Sequence, residues 1–164
     1  ELKGVLLLSQ IHKLLSKMGL KITTILAGED FHGEKCKKIG GKKIKILGYL
    51  NENQIASLCN ICDLFVFPSL YETGPQVVLE AKACNAVCLV SPSGGGRRIS
   101  KSGFDGIIIN NYDLSEWVSI TKKMLLNKRE TLKIKDNLSR INQISWNDVF
   151  DNHFLKNWKK ITSS

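Results

Sequence analysis

A chain of 164 residues, 43% of them hydrophobic, is long enough for one soluble globular domain with a sizeable core. No apolar run approaches the roughly 18 to 20 residues of a membrane span, and no charged-then-apolar leader opens the chain. The net charge of +9 points to an anionic partner, and five cysteines without a leader point to reduced, cytosolic thiols.

The pattern alternates helix and strand from the first residues. "ELKGVLLLSQIHKLL" begins abruptly inside a helical pattern, as a fragment of something longer would. Val5, Leu8, Ile11, Leu14 and Leu15 share a face that ends at Gly19. "KITTILAGE" reads as a buried strand reaching Gly28, followed by a charged helical segment over 30–39 and a short strand in "KIKILG". Lys35, Lys37, Lys38, Lys42, Lys43 and Lys45 crowd around Gly40-Gly41. They form either a solvated edge or a patch that rests on anionic lipid headgroups. Nucleic acid is not expected, because no aromatics interleave with the lysines.

Asn51 caps a helix over "NENQIASLCNIC" that feeds the strand "DLFVFPS". Pro75 then opens a helix running to Cys84, with Asn85 as a left-handed stop. "AVCLVSP", the loop "SGGGRR" and the strand "GIIIN" follow. Helices over "DLSEWVSITKKMLLN" and 129–143 come next, then a segment opened by Ser145-Trp146. There Trp146, Phe150, Phe154 and Trp158 recur every four residues, a stripe suited to packing on a core or partner domain. Cys59, Cys62, Cys84 and Cys88 can be drawn as a zinc or redox site. Their spacing is loose, and Cys62 and Cys88 sit in apolar runs. Strands alternating with helices predict a doubly wound, Rossmann-like, mainly parallel α/β sheet. Ligands of such sheets bind beyond the strand ends, where Gly28, Gly48, Ser69 and Ser93 to Gly96 should gather.

The chemistry concentrates in "FPSLYETGPQVVLEAKAC". A helix opening at Pro75 leaves the amides of Gln76, Val77 and Val78 unpaired, an anion site reinforced by the helix dipole. Glu80 lies on the border of the buried face and leans toward that helix start, while Glu72 precedes the helix. Two carboxylates beside an anion site make sense when the ligand also offers hydroxyl donors, as a sugar nucleotide does. The alternative is a solvated Glu72, with Glu80 capping or pairing with Lys82 or Lys101.

This segment resembles the signature of retaining glycosyltransferases of family four, enzymes of GT-B fold, in which "PS-x-x-E-G-F-G-x-x-x-x-E-A-M-A-C-G" carries an E-x7-E array. Glu72 and Glu80 fall in register, as do Ala81, Ala83 and Cys84, and Gly74 lies one position from each of the pattern's two loop glycines. The likeness extends to Lys3-Gly4, "TILAGE", "IKILGYL" and "SPSGGGRRISKSGFDGIII". The resemblance implies that residues 1–164 form a single donor-binding domain, the C-terminal half of a two-domain enzyme whose N-terminal acceptor domain lies outside this chain. It implies that Glu80 holds the ribose diol and that Glu72, the catalytic candidate, contacts or positions the donor sugar. Gln76 and Val77 amides with Lys3 would meet the diphosphate. Gly74 and Pro75 would shape the site, and Tyr49 and Leu50 would lie along the base. No metal or other cofactor is expected.

The implied activity is transfer of a hexose or N-acetylhexosamine, with retention, from a nucleoside-diphosphate sugar, with UDP preferred. The acceptor would be a glycan or lipid-linked glycan in bacterial surface polysaccharide synthesis (O-antigen, capsule or lipopolysaccharide). The enzyme would be cytoplasmic or peripheral on the inner face of the membrane, and this chain alone inactive. Departures from the pattern are Pro75, which lacks an N–H that commonly points into the site, and Arg97 and Arg98, which stand for Pro and Glu. These arginines either add anion contacts or face solvent. The competing readings are a GT-B nucleotide-sugar epimerase, which should carry a histidine in the cleft, and a non-catalytic basic binding module.

Overall fold

The structure, a computed structural model, describes residues 2–29, 32–141, 150–155 and 158. In chain order the elements are α1 (Val5–Lys17), β1 (Thr24–Leu26), α2 (Gly33–Gly40), β2 (Ile44–Ile46), α3 (Glu52–Ile61), β3 (Phe65–Phe67), α4 (Gln76–Ala83), β4 (Cys88–Val90), β5 (Ile107–Ile108), α5 (Leu114–Leu126) and α6 (Lys128–Arg140). A π-helical segment, Phe150–Leu155, follows. Every strand pairing is parallel: β1 with β2, and β3 with β4 with β5. The strands are two or three residues long, shorter than the apolar runs that predict them.

β4 divides the core. Leu89, with Val87 just before the strand, faces a cluster built from Ile11 and Leu15 of α1, Trp117, Val118 and Met124 of α5, and Ile134 and Leu138 of α6. Cys88 and Val90 face the opposite side, against Cys59 of α3 and Val78 and Ala81 of α4. Side chains alternate along a strand, so a fully buried β4 needs helices on both faces. That is the doubly wound architecture. Trp117, wholly buried, satisfies its indole by donating to the Asn111 carbonyl at 2.8 Å.

The helix ends follow the sequence signals. Asn51 and Gln54 form a reciprocal capping box at α3. α1 ends at Gly19, φ 86°, with Leu20 N–H bonding to the Leu15 carbonyl and Gly19 N–H to Ser16, a Schellman motif. α4 ends the same way on Asn85, φ 59°. Its start differs from expectation by one residue. Pro75 is the N-cap, with ψ 106°, and the first helical residue is Gln76.

The cysteines are free thiols. Burial, then the neighbouring Cys62, Cys84 and Glu80, push the Cys59 thiol up to about 11, and burial also raises Cys62 and Cys88. These are protonated core side chains, without the lowered pKa of a redox nucleophile. The six lysines around Gly40-Gly41 are all exposed on α2, the following turn and β2. The segment opened by Ser145-Trp146 lies largely outside the described residues. Of its aromatic stripe, Phe150 and Trp158 are about half exposed.

Candidate functional site

The start of the chain is pinned against the end of β3. Gly4 has φ 70°, and a Cβ there would lie 2.1 Å from the Pro68 carbonyl oxygen, so only glycine permits this approach. Leu70 N–H bonds to the Leu2 carbonyl at 2.7 Å, and the Ser69 hydroxyl donates to the same oxygen at 2.9 Å. This seam carries Lys3 over the loop after β3, where its ammonium pairs with Glu72 Oε1 at 2.5 Å.

Glu72 is held from three directions. Its carboxylate accepts from Lys3 and, at 3.0 Å, competes with the Leu2 carbonyl for the single proton of the buried Ser69 hydroxyl. Its backbone N–H bonds to the Ser93 carbonyl at 3.1 Å, joining the loops after β3 and β4. Only 12% of its side chain is exposed, which excludes the solvated-loop alternative. The loop after β4 is equally constrained. Ser91 Oγ donates to the Ser69 carbonyl and accepts from Gly94 N–H at 3.0 Å. A Cβ on Gly94 would lie 2.5 Å from the Ser69 carbonyl oxygen. The Tyr112 hydroxyl donates to the carbonyls of Ser69 and Leu70, each at 3.2 Å.

Between these loops lies an open cleft of about 140 Å³, lined by Glu72 to Pro75, Pro92 to Gly95, and Arg97 and Arg98. It sits beyond the carboxyl ends of β3 and β4 and against the residues that enter α4, where parallel α/β sheets bind ligands. Lys3, Glu72, Gly74 and Pro75 therefore meet in one place. Gln76 is exposed and Val77 half-buried in the first turn of α4. Glu80 is exposed on the next turn. Its alternative partner, Lys82, is instead buried and paired with Asp105 at 2.7 Å.

Tyr49, 84% exposed, and the half-buried Leu50 lie on a separate loop after β2. A Gly28 N–H to Gly48 carbonyl bond of 2.7 Å draws that loop to the end of β1. No hydrogen bond among the described residues joins Tyr49 or Leu50 to the Glu72 cluster. Three supports escaped the sequence reading: Ser69 and Ser91 as hydroxyls that fix the loops, and Tyr112 as a brace. A buried serine just past an apolar strand was the available signal for the first two. Tyr112, more than 40 residues from its partners, gave none.

Residues 1–141 match the family described as Glycosyl transferases group 1. The chain belongs to this family. A Campylobacter jejuni group 1 relative, named N,N′-diacetylbacillosaminyl-diphospho-undecaprenol alpha-1,3-N-acetylgalactosaminyltransferase, is 33% identical over 104 residues. The match covers 61% of this chain and 28% of that protein. The Escherichia coli UDP-Gal:alpha-D-GlcNAc-diphosphoundecaprenol alpha-1,3-galactosyltransferase is 33% identical over 78 residues, 48% of this chain and 20% of that protein. The fold is shared with a Rickettsia africae glycosyltransferase (TM-score 0.81, 18% identity, covering 99% of this chain and 45% of that one). It is also shared with Anabaena HepE crystallised with UDP-glucose (TM-score 0.67, 23% identity, 84% and 39%). The chain thus spans less than half of these proteins and has the Rossmann-like architecture of one half of a GT-B glycosyltransferase. No helix among the described residues is long and apolar enough to cross a membrane.

Proposed function

We propose that residues 1–164 are the donor-binding, C-terminal half of a retaining family-four glycosyltransferase, completed by an N-terminal acceptor-binding domain. The observation that carries this reading is Lys3 seated on Glu72 at the cleft beside the start of α4. A cation and a helix N-terminus suit a diphosphate, while a carboxylate suits sugar hydroxyls. Glu80 is assigned to the ribose diol, Gln76 and Val77 amides to the diphosphate, Gly74 and Pro75 to the wall, and Tyr49 and Leu50 to the base. Glu72 contacts the donor sugar as the catalytic candidate.

The mechanism asks little of acid–base chemistry from this half. As the glycosidic bond to the diphosphate breaks, negative charge grows on the leaving oxygen, and the Lys3 ammonium and the α4 N-terminus stabilise it. No metal is required by this scheme. UDP is the preferred nucleotide, since the E. coli relative is named for UDP-Gal and HepE was crystallised with UDP-glucose. Two relatives are named for diphosphoundecaprenol-linked substrates, which favours a lipid-linked glycan acceptor in bacterial surface polysaccharide synthesis. The exposed lysines of α2 and β2 would hold such an enzyme peripherally on an anionic membrane surface.

Calorimetric titration with UDP, GDP and ADP and their sugar conjugates tests the reading. One nucleoside diphosphate should bind, weakly, and Glu80→Ala should abolish binding with the fold intact. The chain alone should transfer no sugar. Absence of binding to all of them by the folded chain would overturn the donor-domain reading.

A further inference from the structure

The charges around the cleft do not balance. Among the described residues Glu72 is the one carboxylate that lines it, and that carboxylate is engaged by Lys3 and Ser69. Arg97 and Arg98 line the same cleft, and among the described residues neither guanidinium has an ion pair or a side-chain hydrogen bond. Arg98 is half-buried, with Nη2 3.1 Å from where a Cβ on Gly74 would sit, so its charge lies over the peptide that leads into α4. The start of α4 is itself positive. It has no acidic residue in its first turn and no side-chain cap, and Pro75, at the N-cap, has no N–H. A guanidinium beside an uncapped helix N-terminus is a like-charge arrangement that raises the energy of the free protein.

We infer that Arg98, assisted by Arg97, binds an anionic oxygen of the ligand at the mouth of α4, supplying the donor that Pro75 cannot. This rests on the donor-site reading and adds a residue to it. The planar fork of Arg98 offers two parallel N–H donors, suited to a phosphate or carboxylate, whereas a lysine would offer a point charge. The geometry is maintained without the guanidinium. The Arg98 carbonyl accepts from buried Lys82 at 2.6 Å, and the Arg98 N–H bonds to the Gly95 carbonyl at 2.9 Å. Replacing the side chain therefore leaves the loop anchored. The shared chemistry of the ligand is an oxyanion, which belongs either to the diphosphate or to an acidic group on the transferred sugar.

The test is calorimetry on wild type, Arg98→Ala, Arg98→Lys and Arg97→Ala, with pyrophosphate, UDP, UDP-glucose and UDP-glucuronate as probes. If the diphosphate is the anion, Arg98→Ala weakens all four probes by about tenfold or more, and Arg98→Lys recovers only part. If the anion is a sugar carboxylate, the loss is confined to UDP-glucuronate. Arg97→Ala gives a smaller loss of the same pattern. Without ligand Arg98→Ala should melt slightly above wild type, because the like-charge contact is gone, while its ligand-induced rise shrinks. Equal affinity of wild type and Arg98→Ala for every probe overturns the inference and leaves the donor reading standing. A wild type that binds none of them overturns both.

Discussion

Lys82 donates from its ammonium to the Asp105 carboxylate at 2.7 Å and to the Arg98 carbonyl at 2.6 Å, with 7% of the residue exposed. Asp105, 1% exposed, also accepts from the backbone N–H groups of Ser100 and Lys101. Burial works to raise its carboxyl pKa, but Lys82 and the two amides outweigh it, and the net shift is downward. The pair ties α4 to the arginine loop. In the signature that this segment resembles, Met occupies the position of Lys82. Lys82→Met should therefore fit sterically yet strand a buried carboxylate, at a cost of about 3 to 5 kcal/mol in urea unfolding. Lys82→Met combined with Asp105→Asn should recover much of that loss, a coupling that a double-mutant cycle reads directly. Additive losses would mean the pair is not a unit. The spacing picked out Glu72, which lines the cleft, but gave no sign of this pair. A lysine on a helical wheel reads as polar surface, and its partner lies 23 residues away across a loop.

At the scale of elements, the helix ends were readable because a few local interactions determine them. Gly19 and Asn85 occupy the left-handed position that ends α1 and α4, and Asn51 forms the box that starts α3. Pro75 was legible to within one residue. Its fixed φ suits both the first helical turn and the N-cap, and both positions tolerate a missing N–H, so local chemistry does not choose between them. The strands were found but overextended. An apolar run reports burial, whereas a ladder ends where parallel partners stop facing each other.

Asn85 offers the sharper test. Its φ of 59° is strained for a side chain, and its buried Oδ1 has no hydrogen-bond partner among the described residues. Asn85→Gly should stabilise the protein by about 0.5 to 1 kcal/mol, and Asn85→Ala should destabilise it by about 1 kcal/mol. Chemical denaturation checks both, and an alanine variant as stable as the glycine one would refute the cap assignment.

Across the whole molecule, the three-stranded parallel sheet β3-β4-β5, covered on both faces, delivers the loops after β3 and β4 to its carboxyl end. That is why Ser69 and Ser93 to Gly96 were expected near one another before their contacts were known, whereas the resemblance placed Lys3 there and the arginines were left between anion contact and solvent. The same packing buries His12 between helix and sheet, 2% exposed, with Nδ1 2.9 Å from Thr24 Oγ1. Burial lowers its pKa below the ordinary 6.5. The folded protein therefore resists a proton that the unfolded chain accepts near that pH, and stability falls as pH drops below it. The lowered carboxyl of Asp105 acts with the same sign at lower pH. Its contribution is present above the unfolded value of 3.8 and is lost as pH falls through the folded one. The melting temperature should then descend in two stages, one beginning as pH falls below about 6.5 and one below about pH 4. His12→Gln should flatten the first, and the Lys82→Met, Asp105→Asn double variant should shrink the second while leaving the first. Melting curves across pH for the three proteins separate the stages, and a first stage that persists in His12→Gln would remove His12 as its cause.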